Sequence, residues 1–391
     1  MRGTRRVLGV TQTHPSDAGW MARALELARR GQWTTWPNPM VGCVVVMNGR
    51  VVAQGWHRRW GGDHAEVDAL SQIPEHVDLG QAIVFVTLEP CSHHGKTPPC
   101  ADLLIRRRVG RVVVALHDPN PLVAGQGIAR LRASGMAVDV GVLAEEARAL
   151  NRRFCQAIRA QRPWVTLKWA QSHDGFMDPD PHAAIGRGSV PVSGQGTQRH
   201  THGLRATHDG ILVGMRTLLV DEPRLDTRRV PGMNPQRLVW TRGHTPPPQG
   251  WRPKRQIAAD LQPVALLHPP TADASVLDAW RGLGAQTHEL HGALGTEEWW
   301  ESLRERTGLH AVLVEGGATL HGLVLARDGW DEIHRYTATQ TLGSGLPAPA
   351  LPDHAERVSA CGLLDGERLE VWQHPRHLGT RGECEAPVHE T

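Results

Sequence analysis

Tyrosine and phenylalanine are nearly missing from this chain: 391 residues carry 1 Tyr and 3 Phe, against 14 Trp. The Trp excess, like the 23 His, has no functional reading in the sequence as a whole. No apolar run approaches the roughly 18 residues of a membrane span, so no transmembrane helix is expected. The start, Met1 to Thr13, holds Arg2, Arg5 and Arg6 but no apolar stretch behind them, so a secretory signal is not expected and a cytoplasmic location is. Charge of one sign is not in excess either, since 43 basic residues face 40 acidic ones. That excludes a strongly basic nucleic-acid coat and, with 40 % hydrophobic residues, a disordered chain. Six cysteines in so long a chain exclude a disulfide framework. There is no G-x-G-x-x-G, so a Rossmann site is not indicated, and no internal repeat is present.

What is there reads as two α/β domains. Met21–Arg30 has apolar residues at helical spacing, and Val41–Met47 and Val51–Trp56 flank the hairpin signal Asn48-Gly49. Short helices at Ala65–Ile73, Pro98–Arg108 and Ile128–Ser134 alternate with apolar strands at Ala82–Leu88 and Arg111–Leu116. Ala144–Ala160 reads as one helix, ended by Arg162-Pro163. Strands then recur at Val165–Ala170, Gly210–Gly214, Arg237–Thr241, Pro263–His268 and Ala311–Glu315. Helices alternating with buried strands imply layered α/β units, with domains expected over residues 14–150 and 163–378.

The strongest chemical signal is His64-Ala65-Glu66, then Glu89-Pro90-Cys91, then Pro98-Pro99-Cys100. A zinc deaminase takes one His and two Cys as ligands to Zn²⁺ and leaves the fourth position to water. It also needs a carboxylate that is not a ligand to carry protons, the part expected of Glu66. Two thiolates offset the metal charge, and a helix N-terminus at Cys100 favours the thiolate. The usual pair of cysteines has two residues between them, whereas eight separate Cys91 from Cys100. The long loop is either an insertion that reads substrate or an accidental pairing. The plain alternative is a structural zinc knuckle. Cys43, in an apolar strand, reads as a small buried hydrophobe.

Several segments together resemble the bacterial bifunctional riboflavin-biosynthesis deaminase/reductase family. They are Thr35-Trp-Pro-Asn-Pro39, Val41-Gly42, Gly55-Trp-His57, His64-Ala-Glu66, Thr87-Leu-Glu-Pro-Cys-Ser-His93, Thr97-Pro-Pro-Cys100 and Asp118-Pro-Asn-Pro121 with Val123-Ala-Gly125. The resemblance runs from about Met21 to at least Leu346, and the long cysteine spacing is the family's own form. It implies a cytidine-deaminase-like three-layer domain followed by a dihydrofolate-reductase-like α/β domain. It implies Zn²⁺ and NADPH as cofactors and, as substrate, a diaminopyrimidinone carrying a phosphoribosylamino group. Asn38, His57, Lys96 and Asn120 are then expected in the first substrate pocket, with Lys96 as a phosphate partner and His57 donating to phosphate or ring.

The second domain matches the family at Lys168-Trp-Ala170, Asp174-Gly175, Leu204-Arg-Ala206, Thr217, Asp221, Leu225, Arg228 and Glu315-Gly-Gly317. By itself, a strand ending in Gly-Gly before a helix is a weak diphosphate signal. The resemblance places Ser189, Arg205, Leu225, Arg228 and Glu315 at the substrate, with Arg205 and Arg228 as phosphate forks. It places Trp169, Pro191, Thr217, Asp221, Thr241, Gly317, Ala318 and Thr319, in a run reaching Leu323, at NADPH. Departures from the pattern are His173, Pro191, Glu222, Trp240 and the stretch Ala338–Gly343. They leave open an active deaminase with a degenerate reductase-like half. A deaminase acting on a nucleic-acid base is opposed by the balanced charge. A non-enzymatic zinc-stapled binding module would be indifferent to Glu66→Gln. A homo-oligomer is expected, of unstated size.

Overall fold

The computed structural model describes residues 16–92, 98–120, 124–180, 182, 191–251 and 263–377. Two compact units account for the chain: residues 1–31 with 40–150, and residues 32–39 with 151–391. The division falls at the first residue of the expected linker, and the stretch 32–39, expected in the first domain, packs with the second unit.

In the first unit the described elements are α1 (Asp17–Arg29), β1 (Gly42–Met47), β2 (Arg50–Trp56), α2 (Ala65–Leu70), β3 (Ile83–Val86), α3 (Cys100–Arg106), β4 (Arg111–Val114), α4 (Gln126–Ala133), β5 (Ala137–Val140) and α5 (Ala144–Leu150). The sheet order is β2-β1-β3-β4-β5. β1 is antiparallel to both neighbours, and β3, β4 and β5 are parallel. Asn48 and Gly49 both take positive φ (51° and 70°), the pair of left-handed residues a tight hairpin requires. Cys43, Val45, Val84, Val86, Val112 and Val114 pack with residues of α2, α3 and α4. The alternate residues Val44, Phe85 and Val113 are equally buried, so the central strands are covered on both faces and read as continuous apolar runs. α1 lies against β1 and β3 and meets α5. β5 is half-buried and short, which is why it left no apolar run to read.

In the second unit the described elements are α6 (Arg152–Arg159), β6 (Trp164–Gln171), β7 (Phe176–Asp178), α7 (Gln195–Ala206), β8 (Gly210–Gly214), α8 (Met215–Asp221), β9 (Gln236–Trp240), β10 (Ala265–His268), α9 (Ala274–Arg281), β11 (Gln286–Glu289), α10 (Glu297–Thr307), β12 (Ala311–Gly316), α11 (Ala318–Leu325), β13 (Glu332–Thr337), β14 (Leu346–Pro347), β15 (Glu356–Gly362) and β16 (Arg368–Gln373). The single helix expected over Ala144–Ala160 is two, interrupted at Asn151, whose side chain is buried and whose carbonyl accepts from Cys155 N–H.

The large sheet runs β11-β10-β9-β8-β12-β6-β13-β16-β15. β11 through β13 are parallel, and β13, β16 and β15 form an antiparallel edge. From β8 the chain winds outward through β9, β10 and β11, then returns to insert β12 between β8 and β6. That reversal is a topological switch point at the carboxyl ends of β8 and β12, the place where open α/β sheets bind ligands.

One face of the sheet packs Leu167, Trp169, Leu238 and Val314 against Trp299, Trp300 and Leu303 of α10. The other packs Ile211, Val213 and Leu313 against α7, α8 and Trp280 of α9. Trp164, Trp169, Trp280, Trp299, Trp300 and Trp330 are all fully buried, so much of the Trp excess is core packing. Several histidines are buried too, among them His202, His208 and His321. β13 escaped sequence reading because two of its buried residues are polar. Glu332 is held there by Arg152, Arg153 and His334.

Candidate functional site

In the first unit the site forms where α2 and α3 begin. Gly55 lets α2 approach β2: a Cβ there would stand 2.5 Å from Ala69 N and 2.7 Å from Ala65 O. His64 is the N-cap of α2 and Glu66 lies in its first turn. Cys91 follows β3, and Cys100 is the first residue of α3. The three expected ligands converge. His64 Nδ1 is 3.5 Å from Cys91 Sγ and 3.3 Å from Cys100 Sγ, and all three donor atoms lie within 4.8 Å of one another.

A tetrahedral zinc with ordinary Zn–S and Zn–N bonds has N-to-S edges of about 3.6 Å, so the donors already stand at ligand separations. Cys100 N–H donates to Cys91 Sγ at 3.3 Å, and the Cys91 thiol is drawn far down by hydrogen bonds from Cys100 and His64. Residue types and spacing both fit Zn²⁺. Glu66 is 3 % exposed, and burial pushes its carboxyl pKa up. Its side chain reaches Cys100, so a buried proton carrier sits beside the donor set without belonging to it.

His57 is buried, and its ring lies 5.9 Å from that of His64, edge to face. Its Nδ1 is 2.8 Å from the Asp63 carbonyl. A carbonyl only accepts, so the proton sits on Nδ1 and Nε2 is an acceptor. Burial lowers the His57 pKa, which keeps this neutral form. In this form the ring donates to the Asp63 carbonyl.

Asn120 is half-buried in the loop after β4, its N–H bonded to Asp118 Oδ1 at 2.8 Å. Asn38 lies in the 32–39 stretch of the second unit, with its N–H on the Thr35 carbonyl. Lys96 and Ser189 fall outside the described residues.

Sequence reasoning quoted Glu89 but gave it no task. Its buried Oε1 accepts from Gly127 N (2.9 Å) and Ile128 N (3.3 Å), and Oε2 from Gly125 N (2.9 Å) and Asp118 N (3.1 Å). Two residues before Cys91, it ties the Asn120 loop to the ligand strand. The available signal was a carboxylate ending an apolar strand, where only a saturated acceptor is tolerated.

In the second unit the expected cofactor residues Thr217 and Gly317 meet at the carboxyl ends of β8 and β12. Thr217 and Asp221 are one turn apart on α8, and Gly317 is the N-cap of α11. Gly317 has φ +76°, and a Cβ on it would lie 3.3 Å from Thr217 Oγ1. A Cβ on Gly316 would stand 2.9 Å from Val213. The bare backbone thus opens the head of α11 as a cradle for a diphosphate. Ala318 is half-buried and Thr319 exposed.

Two cofactor expectations change. Trp169 points into the core at 1 % exposure, its Nε1–H on Gln171 Oε1, so it offers no side chain to a cofactor. Alternation along β6 sets this direction. Thr241 is buried with its hydroxyl accepting from Gly243 N–H, so it closes its own turn. Pro191 is exposed, and Trp240 packs edge-on against Trp299 at 5.6 Å.

Among the expected substrate residues, Arg205 and Glu315 face each other as a bidentate pair, with both N–O distances 2.7 Å. Arg205 Nη1 also donates to the Asp226 carbonyl. Its fork is thus occupied, and Arg205 positions Glu315 rather than offering a fork to phosphate. Arg228 is half-exposed and donates to Asp226 Oδ1, while Arg224 Nε holds Oδ2 at 2.8 Å. Leu225 is buried, with φ +56°. Lys168 is close enough to Glu315 and Arg205 to feel both charges, and burial lowers its pKa. The departing residue His173 precedes Asp174, which accepts from Ser172 and from the N–H groups of Leu342 and Gly343.

Comparison with known proteins gives a consistent result. Residues 15–116 match the cytidine and deoxycytidylate deaminase zinc-binding region, and residues 163–361 match the RibD C-terminal domain. The chain is 36 % identical over 338 residues to the riboflavin biosynthesis protein RibD of Actinobacillus pleuropneumoniae, covering 84 % of this chain and 85 % of that one. It is likewise 36 % identical over 350 residues to RibD of Escherichia coli, covering 84 % and 89 %. Among solved structures, Acinetobacter baumannii RibD is similar at TM-score 0.75 and 31 % identity, over 91 % of this chain and 98 % of that one. The diaminohydroxyphosphoribosylaminopyrimidine deaminase/5-amino-6-(5-phosphoribosylamino)uracil reductase of Thermotoga maritima is similar at TM-score 0.75 and 32 % identity, over 92 % and 98 %.

Proposed function

The chain belongs to the RibD family of riboflavin biosynthesis proteins, and on that premise we propose that it carries out two successive reactions on one phosphoribosyl pyrimidine. The first unit removes an amino group by hydrolysis, and the second reduces the ribosyl chain to ribityl. The observation that carries the reading is the donor set His64, Cys91 and Cys100 at zinc-ligand separations with buried Glu66 beside it.

His64, Cys91 and Cys100 hold Zn²⁺, and when bound it supplies the acidity that makes water a nucleophile near neutral pH. Glu66 takes a proton at its carboxylate and returns it to ring nitrogen and to departing ammonia. A carboxyl whose pKa burial has raised suits both directions of that transfer. His57, fixed by the Asp63 carbonyl, lines the substrate pocket. Asn120 contacts substrate on the loop that Glu89 holds. Lys96 completes the assignment by family resemblance.

In the second unit, bound NADPH would be the source of the hydride that turns the ribosyl chain into ribityl. The head of α11 at Gly317, with Thr217 and Asp221 on one face of α8, binds its phosphates and ribose. Arg205 orients Glu315 towards the sugar hydroxyls. Arg228 meets the substrate phosphate. Lys168 holds the proton for the sugar oxygen, and its burial, which lowers the pKa, supports that task. The departures at Pro191 and Trp240 leave Lys168, Glu315 and the Gly317 cradle untouched, which favours an active reductase over a degenerate one. We place the enzyme in the cytoplasm as a homo-oligomer, the latter checked by light scattering. Mass spectrometry of products with and without NADPH tests the whole reading. Deaminated product alone in both cases refutes the reductase, and unreacted substrate refutes both halves.

A further inference from the structure

The loop that follows α8 carries two basic residues that the family resemblance does not assign, Arg224 and Arg229, and Arg224 shares a carboxylate with the assigned Arg228. Asp226 is buried, and its carboxylate is gripped from both sides: Arg228 on Oδ1, and Arg224 through Nε on Oδ2 at 2.8 Å. Both arginine side chains remain about half-exposed, 49 % for Arg224 and 46 % for Arg228. Behind them the Arg205–Glu315 pair is almost completely enclosed, at 12 % and 8 %. Positive charge is in excess here, since Arg205, Arg224 and Arg228, with Lys168 and Arg237 nearby, face the carboxylates of Glu315 and Asp226, and Arg224 and Arg228 are the open arms.

The backbone between them is built for this display. Leu225 turns its side chain into the core at 3 % exposure through a left-handed φ of +56°, a conformation that leucine rarely adopts. Glu222, two residues before Arg224, is left-handed as well, at φ 43°. Strained residues of this kind concentrate at binding sites. Buried Leu225 and buried Asp226 therefore pin the loop, while the arginines on either side stay outward. Two planar forks anchored on one carboxylate present N–H donors to a tetrahedral oxyanion.

We propose that Arg224 is the second arm, with Arg228, of a receptor for the phosphate monoester of the phosphoribosyl substrate. The inference rests on the reduction proposed for the second unit. The 2′-phosphate of NADPH offers the same chemistry, and the test separates the two sources.

The full-length zinc-loaded enzyme and its Arg224→Ala and Arg224→Lys variants are compared in steady-state reduction. Deaminated substrate is supplied with and without its phosphate, and ribose 5-phosphate binding is measured by calorimetry. The expected result for Arg224→Ala is a rise of about tenfold or more in KM for phosphorylated substrate. In the same variant kcat, the KM for NADPH and the KM for dephosphorylated substrate stay within about twofold. Ribose 5-phosphate affinity falls by a similar factor, and Arg224→Lys lies between.

An equal KM rise for both substrate forms overturns the receptor and makes Arg224 merely structural. A rise confined to NADPH transfers the arm to the cofactor and overturns the proposal. Unchanged ribose 5-phosphate affinity overturns it too, as does its absence in the parent enzyme. If the parent enzyme binds ribose 5-phosphate through Arg224 but reduces nothing, the receptor stands and the reductase reading falls.

Discussion

Replacing Glu89 by Gln should loosen the substrate loop of the deaminase without removing a metal ligand. The two carboxylate oxygens receive four backbone N–H groups, two each, from Asp118, Gly125, Gly127 and Ile128. Glutamine keeps the volume but has one acceptor oxygen. Its amide nitrogen would face two donors, so two of the four bonds are lost. A hydrogen bond to a charged acceptor contributes about 1.5–3 kcal/mol. The Glu89 side chain is only 2 % exposed, so water cannot easily replace the lost acceptor. The lower value for two bonds gives about 3 kcal/mol, or roughly a hundredfold in the opening equilibrium of the loop.

Amide hydrogen exchange reads that quantity directly. The Gly125 and Gly127 amides should exchange about a hundredfold faster in Glu89→Gln, while amides of β1 are unmoved. The KM for deamination should rise with zinc still at one equivalent per chain. Unchanged exchange at Gly125 and Gly127, together with an unchanged KM, would refute the claim that Glu89 holds the loop. Loss of zinc would show instead that the carboxylate acts on Cys91, two residues away.

Other consequences can be measured independently. Glu66→Gln should abolish deamination, by several orders of magnitude, with full zinc content by metal analysis, because Glu66 is not a ligand. Arg162→Ala should lower the unfolding free energy by about 3–5 kcal/mol in denaturant titrations, since it strands buried Asp331, which Arg162 grips with two 2.7 Å bonds. Acid should weaken the second unit well before its carboxylates titrate. Burial holds His208 down at about 3 and His321 at about 4, from 6.5 in the unfolded chain. The unfolded state therefore takes up protons first: this stability is complete above pH 6.5 and drains away as pH falls towards 4, by about 3 kcal/mol per histidine. Urea midpoints of the second unit that do not move between pH 7 and pH 4.5 would contradict it.

How much of this the sequence could tell depended on how local each signal was. The zinc set was legible because three short segments carry the residue types and their order, and two of the donors, His64 and Cys100, stand at helix starts. β1, β3 and β4 of the first unit were legible because they are buried on both faces. β13 was not, because Glu332 and His334 look like surface residues until Arg152 and Arg153 arrive from far along the chain. The direction of Trp169 was hidden for a different reason. A family pattern marks a position but not a side chain's direction, and alternation in β6 sends this one into the core. Arg205 looked like a phosphate fork because its partner Glu315 lies 110 residues away. The task of Glu89 was hidden because its partners are backbone groups, which no residue name reveals.

The insertion of β12 between β8 and β6 also governs when the second unit can form during synthesis. β6 and β8 are hydrogen-bonded to β12 on opposite sides and not to each other. Until residues 311–316 leave the ribosome, the middle of the sheet has two unpaired edges and no central strand. Some 140 residues must wait for a partner that comes late, the costly non-local closure that slows folding and exposes apolar edges. A nascent or truncated chain ending before β12 would present Leu167 and Leu212 without the strand that joins them. Such fragments should aggregate or engage chaperones, whereas chains that extend past β13 should not.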